Sequence, residues 1–140
     1  DLHGAREIVI VNRTPEHAFA AAALAPKSAH VGSGDELGGL DLVVYAARSA
    51  DRGGDGELVA FASALSSTIR SRQLVVDVNY HPARSVFLDA CAARGAVIRD
   101  GLGMLVHQAA RQVELFTGSP APLAAMWSAL RKIPAGRAAN

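Results

Sequence analysis

Ile8-Val9-Ile10-Val11-Asn12-Arg13-Thr14-Pro15-Glu16 is the stretch on which the fold turns. Four consecutive β-branched residues carry no polar alternation. That is the mark of a parallel strand covered by helices on both faces, rather than of a half-wet antiparallel one. The run breaks at Asn12-Arg13. Thr14-Pro15-Glu16 then has the composition of a helix start: a hydroxyl able to cap, a proline at the first helical position and an acid in the first turn.

The same strand, turn and helix recur on the C-terminal side. Ala29 to Val31, Leu42 to Tyr45, Leu74 to Val78 and Ala96 to Ile98 read as further strands. Pro15 to Leu24, Glu57 to Arg70 and Ser85 to Arg94 read as helices, the last stopped by Gly95. Such alternation predicts an α/β fold. Past the last strand it ends, and Met104 to Thr117 and Pro122 to Lys132 predict two successive helices parted by Gly118-Ser119-Pro120. Arg48 to Gly56 is a Gly- and charge-rich loop, and residues 133–140 read as a frayed tail.

Composition narrows the class. The chain has 140 residues, half of them apolar, with a formal net charge of +1, which suits one compact domain and a small-molecule partner rather than nucleic acid or a membrane surface. The single cysteine, Cys91, can form no disulfide within the chain, in keeping with a reducing, cytoplasmic setting. No run approaches the roughly 20 apolar residues that span a bilayer. Asp1-Leu2-His3-Gly4 lacks the regions of a signal peptide. His3, His30, His81 and His107 show neither metal-ligand spacing nor a cysteine or carboxylate partner set, so no metal site is expected.

In a dinucleotide-binding fold the end of the second strand selects the cofactor: an acid there bonds the ribose 2′-hydroxyl, whereas an Arg nearby takes the 2′-phosphate. Asn12-Arg13-Thr14 carries no acid and offers a planar, charged fork, which favours NADP. The bland alternative is an ordinary helix opening beside a solvated arginine. Gly32-Ser33-Gly34-Asp35-Glu36-Leu37-Gly38 imitates a phosphate-binding glycine loop, but its third glycine is one place late and its acids would repel a pyrophosphate. A plain surface turn is expected there. The true glycine turn belongs roughly 20 residues before the ribose-reading position. Only 11 residues precede Asn12. The expected sheet is therefore an incomplete Rossmann-like, doubly wound one, with Asp1 to Ala5 as the remnant of its first helix.

Asp100-Gly101-Leu102-Gly103-Met104-Leu105-Val106-His107-Gln108 closely resembles the signature of shikimate dehydrogenases. Asn12-Arg13-Thr14, Val75-Val76-Asp77-Val78-Asn79-Tyr80-His81-Pro82 and Val113-Glu114-Leu115-Phe116-Thr117-Gly118 join it in matching order and spacing. The resemblance implies reversible NADPH-dependent reduction of 3-dehydroshikimate to shikimate, in chorismate and aromatic amino-acid biosynthesis. It implies that Asn12, Arg13 and Thr14 hold the adenosine 2′-phosphate, with His17 where the family usually has a second Arg. Val78 and Gly101 would meet the nicotinamide through their backbones, Met104 would pack by its ring, and Tyr80 and Gln108 would reach shikimate. Residues 1–103 would form the partial NADP-binding domain, 104–132 the helices that pack back on a substrate domain, and 133–140 the tail.

The residues themselves leave alternatives open. Met104 and Gln108 share a helix face with Arg111 and Leu115, yet a core methionine and an exposed glutamine would look the same. Gly101 and Gly103 suit either a ligand-facing loop or a tight turn. Tyr80 lies where α/β sheets place ligands, or simply caps the strand. Tyr45-Ala46-Ala47 stands where the family has Asn-Ala-Thr, so either the loop Arg48 to Gly56 supplies that lining or cofactor binding is altered. By the resemblance, the catalytic Lys and Asp belong to an N-terminal domain. Lys27 and Lys132 are in no such context, so this chain alone is expected to be inactive. A quinate or dual-specificity dehydrogenase, and a non-catalytic nucleotide-binding module, are the competing readings; a homodimer of the full-length parent is a further expectation. A missing central strand would also leave ladder groups bare on Ile8 to Val11 and make the chain marginal or aggregation-prone.

Overall fold

The computed structural model describes residues 4–47, 56–80 and 85–131. Of the loop expected over 48–56, residues 48–55 lie outside the described residues and Gly56 opens a helix instead; His81-Pro82, Lys132, the tail and Asp1 to His3 also lie outside them. Elements follow in the order β1 (Ile8–Ile10), α1 (Pro15–Ala22), β2 (Ala29–Val31), a 3-10 helix (Gly34–Gly39), β3 (Leu42–Tyr45), α2 (Gly56–Thr68), β4 (Leu74–Asp77), α3 (Val86–Ala93), β5 (Val97–Arg99), α4 (Leu102–Thr117) and α5 (Leu123–Arg131).

Every strand pairing among the described residues is parallel. β1 pairs with β2, Val9 opposite His30, while β3, β4 and β5 form a second sheet in which Val43 faces Val75 and Val75 faces Ile98. The strands thus fall into two sheets, ordered β1-β2 and β3-β4-β5. This is a Rossmann-like α/β architecture followed by two helices.

Burial departs from the expectation of strands covered on both faces. Val43, Tyr45, Val75 and Asp77 point into a core with Ala62, Leu65, Phe87, Leu88 and Cys91, so α2 and α3 cover one face of the larger sheet. On the other face Leu42 and Val44 are 46% and 55% exposed. An unbroken apolar run reports parallel pairing correctly, because its β-branched side chains suit a pleated ladder on either side. It cannot report whether a covering helix is present.

Local chemistry fixes the element ends. Ser85 caps α3, its Oγ accepting from Leu88 N at 3.2 Å, and Gly95 stops it at φ +84. Gly118 ends α4 in the left-handed region, its N–H donating to the Glu114 carbonyl. α4 starts two residues earlier than its composition suggests, because Asp100 Oδ1 accepts from Leu102 N at 3.1 Å and so supplies a cap. α5 folds back on α4, with the His107 and Trp127 rings edge to face at 6.2 Å. No described helix is long and apolar enough to cross a membrane.

Candidate functional site at the carboxyl ends of the strands

Parallel strands place all their carboxyl ends on one side, and there α/β sheets take their ligands. Past β1, Asn12 Oδ1 accepts from Thr14 N at 2.9 Å, a tight turn that sets Arg13 at the rim. Thr14 occupies the N-cap position of α1, but its side chain makes no capping bond. Its carbonyl accepts from His17 N at 3.1 Å instead, so the expected hydroxyl cap is replaced by Asn12 and the backbone. His17 is exposed in the first turn of α1.

Arg13 meets a carboxylate after all. Its Nη1 lies 2.8 Å from Glu57 Oε2 in the first turn of α2, 44 residues further along the chain. Glu57 is remote from Arg13 in sequence, so only the fold could bring this acid to it. Both side chains are well exposed, and a pair of this kind contributes at most about 1 kcal/mol. Its geometric consequence is larger. It ties the carboxyl end of the smaller sheet to the helix that follows β3 in the larger.

At the end of β4 stands a buried polar knot. Asp77, 1% exposed, accepts from Ser85 Oγ at 2.6 Å, from Asn79 N at 2.9 Å and from Asn79 Nδ2 at 2.7 Å. The same Asn79 Nδ2 donates to the Ala47 carbonyl at 2.8 Å, so β3 and β4 are laced together beyond their ladder. Tyr45 therefore does no lining: it is buried and stacks on Phe87 at 4.2 Å. Among the described residues the polar groups at this strand end are the Asn79 amide and the Ala47 carbonyl. Asp77, Asn79, Ser85 and Glu57 are the functional candidates that sequence reasoning passed over. An acid closing the apolar run Leu74-Val75-Val76-Asp77 was the available signal for three of them.

Gly101 closes the arrangement. Its N–H donates to the Asn79 carbonyl at 3.0 Å, and a Cβ built on it would run into the Val78 carbonyl and lie 2.7 Å from Asn79 O. Its φ of −76° is open to any residue, so close approach, not unusual backbone, is what requires glycine here. Gly103 belongs to the first turn of α4, where an added Cβ would meet only the Trp127 ring at 3.9 Å. Val78 and Gly101 are thereby in direct contact. One turn on, Met104 is 45% exposed and Tyr80 50%, so neither is a core residue. Gln108, Arg111 and Leu115 continue an exposed stripe on α4, opposite the buried Val106 and Ala110. Contacts thus run from Ala47 through Asn79 to Gly101 and α4, and separately from Arg13 to α2.

The glycine-rich decoy is more ordered than a plain turn. It forms the 3-10 helix, with a reciprocal capping box between Ser33 and Glu36 and Leu37 buried beneath. A bond from Ser33 N–H, then His30, holds the Glu36 carboxyl below the usual range. Gly38 lets the Thr68 carbonyl approach, since a Cβ would stand 2.7 Å from it. Its glycines serve packing, and no long helix follows for an anion to cap. His30 has a carboxylate neighbour, Glu36 at 3.4 Å, that spacing alone did not reveal. Among the described residues no cluster of three or more potential ligands could hold a metal.

Residues 101–131 match the family described as Shikimate 5'-dehydrogenase C-terminal domain. A shikimate dehydrogenase (NADP(+)) of Acidovorax ebreus is 37% identical over 134 residues, which is 90% of this chain and 45% of that protein. A shikimate 5-dehydrogenase of Mycobacterium fortuitum is 30% identical with a TM-score of 0.71, over 89% of this chain and 46% of that one. The enzyme of Thermus thermophilus, solved with NADP(H) and shikimate, is 25% identical with a TM-score of 0.71, over 90% of this chain and 46% of its own. The chain spans about half the length of the curated relatives it matches.

Proposed function

We propose that the chain, which is similar to shikimate dehydrogenases over 90% of its length and matches their C-terminal domain over residues 101–131, is the NADP-binding portion of an oxidoreductase interconverting 3-dehydroshikimate and shikimate. The observation that carries this reading is the contact of Gly101 with the Val78–Asn79 carbonyls, because it sets a bare backbone shelf beside an exposed Met104 and Gln108. On this reading residues 1–103 are the cofactor part, 104–132 the helices facing a substrate domain, and 133–140 the tail.

The donor chemistry fits the cofactor. Arg13 brings a guanidinium fork suited to a 2′-phosphate, with Asn12 and Thr14 fixing the turn that carries it and His17 a further polar group in the first turn of α1. Val78 and Gly101 offer backbone groups to a carboxamide, Met104 a polarizable thioether to a flat ring, and Tyr80 and Gln108 hydrogen-bonding groups to a hydroxylated substrate. When bound, the cofactor supplies the hydride, and the protein supplies orientation and exclusion of alternatives. By the family resemblance, the proton donors lie outside this chain. Lys27 is an exposed loop residue, and the chain alone gives no turnover. Shikimate, 3-dehydroshikimate and NADP(H) are the partners the reading needs. A cytoplasmic setting accords with a free, buried Cys91, and a homodimer of the parent rests on the resemblance alone.

Fluorescence titration of the chain with NADPH and with NADH tests the reading. NADPH is expected to bind the more tightly, with the difference lost in Arg13→Gln. Equal binding of the two by the wild type, or binding of neither, overturns it.

A further inference from the structure

We propose that Glu57 is a specificity-determining residue at the adenosine end of the site, where its carboxylate lowers the preference for a 2′-phosphate over a 2′-hydroxyl. The inference rests on the reading that Arg13 meets the ribose. Arg13 Nη1 and Glu57 Oε2 are 2.8 Å apart. A ligand phosphate drawn to that guanidinium nitrogen must share it with the carboxylate or push the carboxylate aside.

Glu57 is not easily pushed far. It stands in the first turn of α2, where an acid is favoured by the helix dipole, and α2 is anchored by Ala62, Leu65 and Ser66 in the core. A phosphate monoester carries close to two negative charges at neutral pH, so crowding it against a carboxylate is unfavourable even in water. A 2′-hydroxyl carries none. It can donate to a carboxylate, as it does to the strand-end acid of NAD-binding folds. The sequence has no acid at the end of β1, yet the fold delivers one to the same neighbourhood from 44 residues away. One side chain therefore opposes the phosphate and welcomes the hydroxyl, while Arg13 does the reverse.

The test compares wild type, Glu57→Gln and Arg13→Gln, each titrated at low salt with adenosine 2′,5′-bisphosphate and with 5′-AMP, which differ only at the 2′ position. Binding is read by calorimetry or by shifts of the arginine side-chain resonances. Glu57 is exposed, so the glutamine variant keeps the fold, and a circular dichroism spectrum checks it. Removing one unit charge some 4 Å from a phosphate that carries close to two should tighten the bisphosphate roughly 15- to 30-fold, equivalent to about 1.6–2 kcal/mol, and leave 5′-AMP unchanged or weaker. Arg13→Gln should shift the same ratio the opposite way. An unchanged ratio in Glu57→Gln, with the wild type binding the bisphosphate preferentially, overturns the role of Glu57 and leaves the adenosine site standing. Equal tightening of both ligands overturns it too, since that is general charge repulsion. Failure of every variant to distinguish the two ligands overturns the adenosine site and this proposal with it.

Discussion

Replacing Gly101 by alanine is expected to weaken the fold, and the nearby Gly103 supplies the contrast that makes the prediction sharp. An alanine Cβ at 101 would sit 2.6 Å from the Val78 carbonyl carbon and 2.7 Å from Asn79 O. Neither atom can yield cheaply: Val78 N donates to the Tyr45 carbonyl at 3.0 Å, and Asn79 is held by Asp77 and Ala47. Overpacking of this kind costs about 1–3 kcal/mol. Alanine recovers part of it, roughly 0.4–1 kcal/mol, because it restricts the unfolded chain and tolerates the backbone at 101. A net loss of about 1–2 kcal/mol remains. In Gly103→Ala the new methyl meets only the Trp127 ring at ordinary distance, and a helical glycine-to-alanine change gains about 0.5–1 kcal/mol. Equilibrium urea unfolding, followed by circular dichroism and by the fluorescence of Trp127, the one tryptophan, reads both. The two variants should move the midpoint in opposite directions at unchanged slope. The packing account fails if Gly101→Ala is as stable as wild type, or if Gly103→Ala loses as much.

Two further outcomes follow from buried polar and ionisable groups. Burial pushes the Cys91 thiol up to about 11. A group ionising later in the folded state than its ordinary value of 9.0 contributes stability present below pH 9 and lost as pH rises toward 11. Stability from urea unfolding should accordingly fall between pH 9 and 11 by roughly 2 kcal/mol, and less so in Cys91→Ala; a fall of equal size in both would remove Cys91 as its cause. Asp77→Ala strips Ser85 and Asn79 of their shared acceptor, for which about 2–4 kcal/mol is expected. NADPH affinity should drop along with stability, because Val78 and Tyr80 flank the residue that loses its tether. Stability lost with affinity fully kept would show that the knot does not hold the site.

How much of this was legible in the residues depended on range. Strand and helix runs are local patterns, and Ile8 to Val11, Leu42 to Tyr45 and Pro15 onward emerged within a residue or two of their observed ends. Gly95 and Gly118 both take the left-handed backbone their placement after helices implied. Arg72 takes it as well, at φ +65, and nothing in its side chain announces that. It is imposed from outside: Arg72 N donates to the Gly95 carbonyl at 2.8 Å, and the buried Gln73 amide donates to the Leu37 and Leu40 carbonyls. The exposed face of β3 was also illegible, since a pattern of apolar residues records what could be covered and not what covers it. At the site, the motif positions surfaced readily, while the groups that brace them did not. Glu57 reaches Arg13 across 44 residues, a distance no local pattern spans.

The bracing explains how exposed side chains can still define a site. Met104, Tyr80 and Arg13 are all at least partly open to solvent, so their rotamers alone would give a loosely specified pocket. The backbone beneath them is not loose. Asn79 and Ser85 both donate to the Asp77 carboxylate at the end of β4, and a satisfied buried network is stiff because each broken bond leaves an orphaned polar atom. Gly101 then transfers that stiffness to α4 by backbone contact, with no side chain between. Precision therefore resides in main-chain positions at 78, 79 and 101, and the side chains that would meet a ligand are carried on that frame. The smaller sheet is held to α2 by Val11 and, through the 3-10 helix, by Leu37, both packed on the core with Ala62 and Leu65, and at its rim by a solvent-exposed ion pair, which salt weakens. The position of the Arg13 side chain should therefore loosen with ionic strength well before the backbone frame around Gly101 does.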